Sequence, residues 1–287
     1  MPASTRSLRL HGYACGMAWI EVGDRVFTRR FEFLDQQVGV VLGGNDVLMV
    51  DTRSGPAHAR EVVAELRELT PNPVSIVVDT HWHWDHAYGN SALRPAVIWG
   101  HVRTAERLRS EGPDRLAKLK AILATELPAA VAVLDEVVID PPDRTFADTA
   151  TVMVGDRVVE LAFHGRAHTD ADITVNVRDA GVLFAGDLLE NGAPPSFGDS
   201  YPLEWPAAIE HMLPLATRAV VPGHGAIGDR TFVEHQLAAQ REIAALARKV
   251  FADELDLDTA DGLSPFPGEP ARDAFERALA QLRGELG

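Results

Sequence analysis

Cysteine is nearly missing: Cys15 is the only one in 287 residues, so no disulfide can form within the chain. No apolar run approaches the ~20 residues that span a bilayer. Residues 1–8 lead into no sustained apolar core, so no signal peptide is expected either. Together these absences make the cytosol the expected compartment. Basic residues are also scarce: 27 Lys and Arg face 42 Asp and Glu, a formal charge of −15. Such a surface repels phosphate backbones and argues against general nucleic-acid binding. There is no repeat and no low-complexity tract. What is present, 46% hydrophobic and 24% charged residues, is the mix of an ordinary globular protein with one large core or two smaller ones. The expected partner is a small-molecule substrate, with no nucleic acid and no membrane; a homodimer is left open.

The N-terminal third reads as strands. Residues 17–22 and 25–31 flank the turn Gly23-Asp24, and 38–42 and 47–50 flank Gly43-Gly44-Asn45-Asp46, two hairpin signals. Residues 56–69 read as a helix, with Ala59, Val62, Val63, Leu66 and Leu69 on one face, Pro56 in the first turn and Pro71 as the stop. The β-branched run 74–79 is a buried strand, and 96–99 is another. Residues 102–138 predict two or three helices broken at Gly112-Pro113 and Pro128. Strands resume over 151–154 and 157–163 around Gly155-Asp156, then over 172–177 and 182–185. A helix over 203–213, a short strand over 218–221 and a long helix over 229–251 follow. Residues 254–268 carry Pro and Gly and read as a linker before a last amphipathic helix marked by Phe275, Leu279 and Leu282. Two β-rich halves with interspersed helices suggest two sheets packed together with helices outside.

The chemistry starts at His81-Trp82-His83-Trp84-Asp85-His86, three histidines and a carboxylate within six residues. The cluster follows the 74–79 strand, where a strand runs out into a loop. On an extended segment His81 and His83 point the same way and can bind one metal. The chain must then turn for Asp85 and His86 to reach a neighbouring ion. Imidazole and carboxylate suit zinc, and also iron or manganese. Each strand of the second half then ends in a candidate ligand: His168 lies just before the 172–177 strand, Asp187 follows Val182–Gly186, and His224 follows Val220–Gly223. Loops at strand ends are where a rigid scaffold places chemistry.

In order and spacing, His81, His83, Asp85 and His86 followed by His168, Asp187 and His224 resemble the ligand set of the metallo-β-lactamase fold superfamily, over about residues 38–225. The resemblance implies an α/β, four-layered αββα sandwich of two mixed sheets flanked by helices. It implies two divalent metal ions between the sheets, zinc first and iron or manganese as alternatives. His81, His83 and His168 would hold one ion, Asp85, His86 and His224 the other, and Asp187 would bridge them. It also implies that Asp51, at a strand end, orients a ligand histidine. Residues 1–253 would form the catalytic domain with 102–138 as a cap or flank, and 254–287 a linker and helix packed on it. Two ions ~3.5–4 Å apart can share a hydroxide and polarise a substrate oxygen, so no serine or cysteine nucleophile is required. Cys15 is expected to have no catalytic role; Asp85 could also accept a proton.

His11, His58, His211 and His235 read as structural, and His101 and His164 as neighbours of the site rather than ligands. One of Trp82 and Trp84 could line the pocket.

Within the superfamily, a carboxylate at position 187 resembles thioesterases of the glyoxalase II type, lactonases and phosphodiesterases. True β-lactamases usually carry cysteine or serine there. Many also place a lysine three residues beyond the cysteine, where this chain has Glu190. No basic arm of the transfer-RNA nucleases is present, and the short acidic tail after Phe251 departs from the basic region of glyoxalase II. The expected function is hydrolysis of a carboxylic ester, lactone or thioester. The alternatives are β-lactam or phosphodiester hydrolysis, a two-iron redox enzyme, and a degenerate metal-binding module without activity.

Overall fold

The computed structural model of the protein describes residues 18–126 and 128–286. His11, Cys15 and Met17, the first residue of the expected 17–22 strand, lie outside the described residues. Strands β1 (Ile20–Gly23) and β2 (Val26–Phe31) pair as a hairpin, and β2 pairs with β3 (Gln36–Gly43). β3 turns tightly into β4 (Asp46–Val50), and helix α1 (Pro56–Leu66) leads to β5 (Ile76–Val78). A single helical turn, α2 (Trp84–Ala87), precedes β6 (Val97–His101). Helices α3 (Val102–Glu126) and α4 (Pro128–Leu134) follow, then β7 (Arg144–Phe146), β8 (Thr149–Val154), β9 (Arg157–Phe163) and β10 (Ile173–Val177). The chain closes with β11 (Val182–Asn191), α5 (Trp205–Met212), β12 (Ala219–Gly225), α6 (Arg230–Phe251), α7 (Leu257–Leu263) and α8 (Glu269–Leu282).

The strands run in the order β7-β6-β5-β4-β3-β12-β11-β10-β9-β8, with β2 and β1 branching from β3. The two halves of this order are joined by one register pair, His224 with Gln36, so the sheet folds there into two facing layers. Strand alternation places the core. In β4, Leu48 and Val50 join Ile173, Val175, Phe184 and Val221 between the layers, while Val47 and Met49 face outward onto Val62 and Leu66 of α1. In β11, Val182 and Phe184 face inward while Leu183 and Ala185 pack on Trp205, Ile209, Val233 and Leu237 of α5 and α6. Strands apolar on both sides cannot face water, which is why helices cover both outer surfaces. The result is a four-layer αββα sandwich, as expected. Among the described residues no helix is long and apolar enough to cross a membrane.

Several elements differ from the sequence reading. Helix α3 runs through Gly112-Pro113 instead of breaking. Its apolar side chains Leu108, Leu116, Leu119 and Leu123 pack with Trp82 and with Leu134 of α4, and that burial outweighs the hydrogen bond a proline removes. The expected linker contains α7, capped by Asp256, whose side chain accepts from Thr259 N at 2.9 Å. Ala260 of α7 is buried with Ala271 and Phe275 of α8. Strand β7 has no counterpart in the sequence pattern. β11 continues past Asp187 to Asn191, so Asp187 lies within a strand, not at its end.

Candidate metal centre

β5 leads the chain through bends at Thr80, His81 and Trp82 to His83, which is extended (φ −64°, ψ 150°). The rings of His81 and His83 come to 4.7 Å of each other across these bends. The turn of α2 then swings Asp85 and His86 toward β12. His168 comes from the loop before β10, Asp187 from β11 and His224 from β12. The pairing of β11 with β12 slips on either side of Gly186, and the slip admits the Asp187 side chain. Two glycines clear the space. A Cβ on Gly223 would lie 1.9 Å from Asp187 Oδ1, and one on Gly186 (φ +52°) 2.7 Å from Thr80 Oγ1.

All seven expected ligands converge in two groups. His81, His83, His168 and Asp187 form one; Asp85, His86 and His224 form the other, and within each group the ligand atoms lie within 4.8 Å of one another. Asp187 joins them. Its Oδ2 is 3.4 Å from His168 Nε2 and 3.9 Å from His81 Nε2. Its Oδ1 is 3.3 Å from both His86 Nε2 and His224 Nε2. Asp85 Oδ2 stands 3.2 Å from His224 Nε2 and 3.5 Å from His86 Nε2.

Every histidine is anchored through its other nitrogen. His86 Nδ1 donates to Asp51 Oδ2 at 2.8 Å, His168 Nδ1 to Ser196 O at 3.1 Å and His224 Nδ1 to Leu34 O at 2.8 Å. Thr80 Oγ1 donates to Asp51 Oδ2 at 2.9 Å and so accepts from His81 Nδ1 at 3.1 Å. His83 Nε2 donates to Asp199 Oδ2 at 3.3 Å. These bonds turn the remaining nitrogens inward as lone pairs. His86 Nε2 and His224 Nε2 then face each other at 3.1 Å, and His168 Nε2 faces His83 Nδ1 at 2.8 Å. Pairs of inward nitrogens at such range need a proton or a metal ion between them. His81 Nε2 and Asp187 Oδ1 have no hydrogen-bond partner. Ligand atoms bound at ~2.0–2.2 Å around a tetrahedral ion stand roughly 3.3 Å apart, so the residues fit a metal pair.

The electrostatics agree. Burial keeps His81 well below the usual imidazole range and lowers His168 to about 3, so both stay neutral and able to ligate. Burial opposes charge on His86 too, yet Asp187, Asp85 and Asp51 outweigh it and lift it to about 9. Burial would raise Asp187, but His224, His86 and His168 hold it well below the usual carboxylate range. The pocket is thus a negative field that recruits positive charge. Among the histidine side chains of the two groups, His83 is the most exposed, at 18%, which marks the open side.

The expected partner Asp51 sits on His86. Thr80, Ser196, Asp199, the Leu34 carbonyl and Gln36, whose Nε2 donates to the Asp85 carbonyl, are site residues that sequence reasoning does not reach; only Thr80, adjacent to His81, carries any sequence signal. Trp82 does not line the opening: it is buried against α3 and donates to Asp170 Oδ1 at 3.1 Å. Trp84 is half-buried, edge-on to Phe33. Glu190 is buried, accepting from Ser196 N at 3.2 Å, and so braces the loop that holds His168.

His101 donates to Ala147 O at 2.9 Å and stacks on Phe163. His164 contacts Thr174 Oγ1 at 2.8 Å, and burial lowers it to about 4. His58 packs on Phe33, and His211 and His235 are exposed. His168→Ala should therefore cost at least about 100-fold in kcat/KM, and His164→Ala less than about tenfold. Parallel steady-state assays check this; the reverse order would make His164 the ligand of this loop.

A family model described as the metallo-beta-lactamase superfamily matches residues 32–224. Among curated proteins, the chain is 25% identical over 207 residues to a "Metallo-beta-lactamase type 2" of Bacillus sp. (strain 170), covering 69% of this chain and 70% of that one. It is 24% identical over 229 residues to a "Linear primary-alkylsulfatase" of Pseudomonas sp. (strain ATCC 19151), covering 69% of this chain and 43% of that one. Among solved structures, a metallo-beta-lactamase from Pontibacter korlensis superposes with a TM-score of 0.61 at 23% identity, covering 78% of this chain and 98% of that one.

Proposed function

The chain belongs to the metallo-beta-lactamase superfamily and is a metal-dependent hydrolase, and on that premise we propose that it is a dinuclear enzyme cleaving a carboxylic ester, lactone or thioester. The observation that carries this reading is Asp187, whose two carboxylate oxygens face the two ligand groups separately. His81, His83 and His168 would hold one divalent ion, Asp85, His86 and His224 the other, and Asp187 would serve both groups. Zinc would be the first candidate for both ions, because imidazole and carboxylate ligands suit it; iron and manganese are the alternatives. Two such ions supply a nucleophilic water at neutral pH and a Lewis acid for the substrate oxygen.

The protein's own residues do the rest. Asp85, whose Oδ2 lies beside His86 Nε2 and His224 Nε2, would orient the attacking water and could take its proton. The hydrogen bonds that the imidazoles donate to Asp51, Thr80, Ser196, Leu34 and Asp199 hold them in one tautomer, so reorganisation during turnover is small. Substrate enters on the His83 side.

A carboxylate at position 187 supports ester, lactone or thioester cleavage over β-lactam cleavage, since the resemblance associates β-lactamases with cysteine or serine there. The relatives named as a β-lactamase and an alkylsulfatase keep β-lactams and sulfate esters among the competitors. A panel of lactones, activated esters, glutathione thioesters, β-lactams, phosphodiesters and alkyl sulfates separates them. The expected result is a kcat/KM for an ester, lactone or thioester at least about tenfold above any β-lactam, a transition-state preference of ~1.4 kcal/mol. A β-lactam as best substrate would overturn the choice of bond, and no ion taken up by the purified protein would overturn the metal centre itself.

A further inference from the structure

His83 is anchored differently from the other histidines. The partners of His81, His86, His168 and His224 are a buried hydroxyl, a buried carboxylate and two backbone carbonyls. The partner of His83 is the side chain of Asp199, 29% exposed, in a loop outside any strand or helix. Left alone, such a carboxylate would swing into solvent.

Arg115 of α3 prevents that. Its Nη1 lies 3.3 Å from Asp199 Oδ2, the same oxygen that faces His83 Nε2, and its Nη2 lies 3.4 Å from Asp199 Oδ1. The guanidinium is fixed in turn. Its Nε donates to Glu111 Oε2 at 3.0 Å, and its Cζ lies 4.3 Å from the centre of the Trp82 ring, beside His83 in the chain. Trp82 is held by Asp170, which also accepts from Arg107 Nη2 at 2.9 Å. Helix α3 is thus bolted to the ligand loop by a fork, a stacked ring and an ion pair. A planar guanidinium suits this double task, because it can bind a carboxylate with two N–H groups while lying over an aromatic face.

We infer that Arg115 is a positioning residue for the ion held by His81, His83 and His168: it locks Asp199 against His83 and thereby ties the affinity of that one site to the seating of helix α3. The inference rests on the reading of His83 as a ligand. It needs no change at the Asp85, His86 and His224 site, which is anchored by Asp51 and Leu34.

The test is a competition titration of the metal-free protein with cobalt(II) or zinc(II) against a chromophoric chelator, resolving two affinities. Arg115→Met should weaken one ion by about 10–100-fold and leave the other within about threefold, the range seen when a ligand loses its supporting hydrogen bond. Arg115→Lys, which keeps the charge but loses fork and stacking, should fall between. Adding R115M to His83→Ala should change the titration no further, because the path is already cut. If R115M does not fold, Asp199→Asn breaks the same link conservatively and should weaken the same ion. Unchanged affinities, or both falling together as in a general loosening, would overturn the inference. A wild-type chain that takes up no ion would overturn the metal reading beneath it, a result distinguishable from either of these.

Discussion

Asp187→Ala should reduce kcat by about 10³-fold or more, a loss of at least ~4 kcal/mol in the barrier. One carboxylate serves both ligand groups, so its removal strips an oxygen from each and lifts the constraint that keeps the ions together. In metal-free protein Asp187 is a buried group whose Oδ1 makes no hydrogen bond, so the folded chain should lose far less. The metal-free variant should unfold within about 2 kcal/mol of the parent, since what goes is attraction to His224, His86 and His168 balanced by relief of burial. Activity, ion content by mass spectrometry and urea unfolding of the metal-free form make up the experiment. Near-native turnover with two ions bound would show that Asp187 does not bridge.

Asp51→Ala has the opposite profile: it should damage the fold as well as the centre. Asp51 Oδ1 accepts from Thr80 N at 2.8 Å, and Oδ2 accepts from Thr80 Oγ1 and His86 Nδ1. Truncation leaves three buried donors without a partner and removes one of the three carboxylates that face His86. Breaking one side of such a buried arrangement costs about 3–5 kcal/mol. Asp51 also has φ +63°, a left-handed conformation that Asp and Asn tolerate better than Ala. Asp51→Asn should therefore recover part of the stability but not the affinity for the second ion, because an amide presents one acceptor oxygen where two are needed. Urea unfolding with and without metal separates these effects. An alanine variant that unfolds at the parent's urea midpoint would show that Asp51 is not the anchor.

The two variants mark which parts of the centre are visible in sequence. The seven candidate ligands are legible because ligand chemistry restricts residue type: only a few side chains bind a divalent ion, and four of the seven crowd into residues 81–86. Asp51 stands out locally only as a polar residue directly after a buried strand, and its role is reached through the resemblance. Asp199 and Arg115 carry none: aspartate and arginine are ordinary loop and helix residues, and the two lie 84 positions apart. The carbonyls of Leu34 and Ser196 have no signature at all, since every residue has one, and the bond from His224 to Leu34 spans 190 positions.

The layers follow the same division. β4 and β11 are apolar on both faces, and residue type alone therefore requires sheets covered on both sides. The course of α3 through Pro113, the helix α7 inside a Pro- and Gly-containing stretch, and the run of β11 past Asp187 do not follow from local preference, because packing outweighs it in each case. By itself, then, the sequence determined most of the strands, the two-layer core and the identity of the candidate ligands, all properties of residue type and period. Only the tertiary structure decided that Asp187 turns one oxygen to each group, and that the cap reaches the ligand loop through Arg115 and Asp199. Those outcomes depend on the register slip between β11 and β12 and on contacts between segments far apart in the chain, which no local pattern encodes.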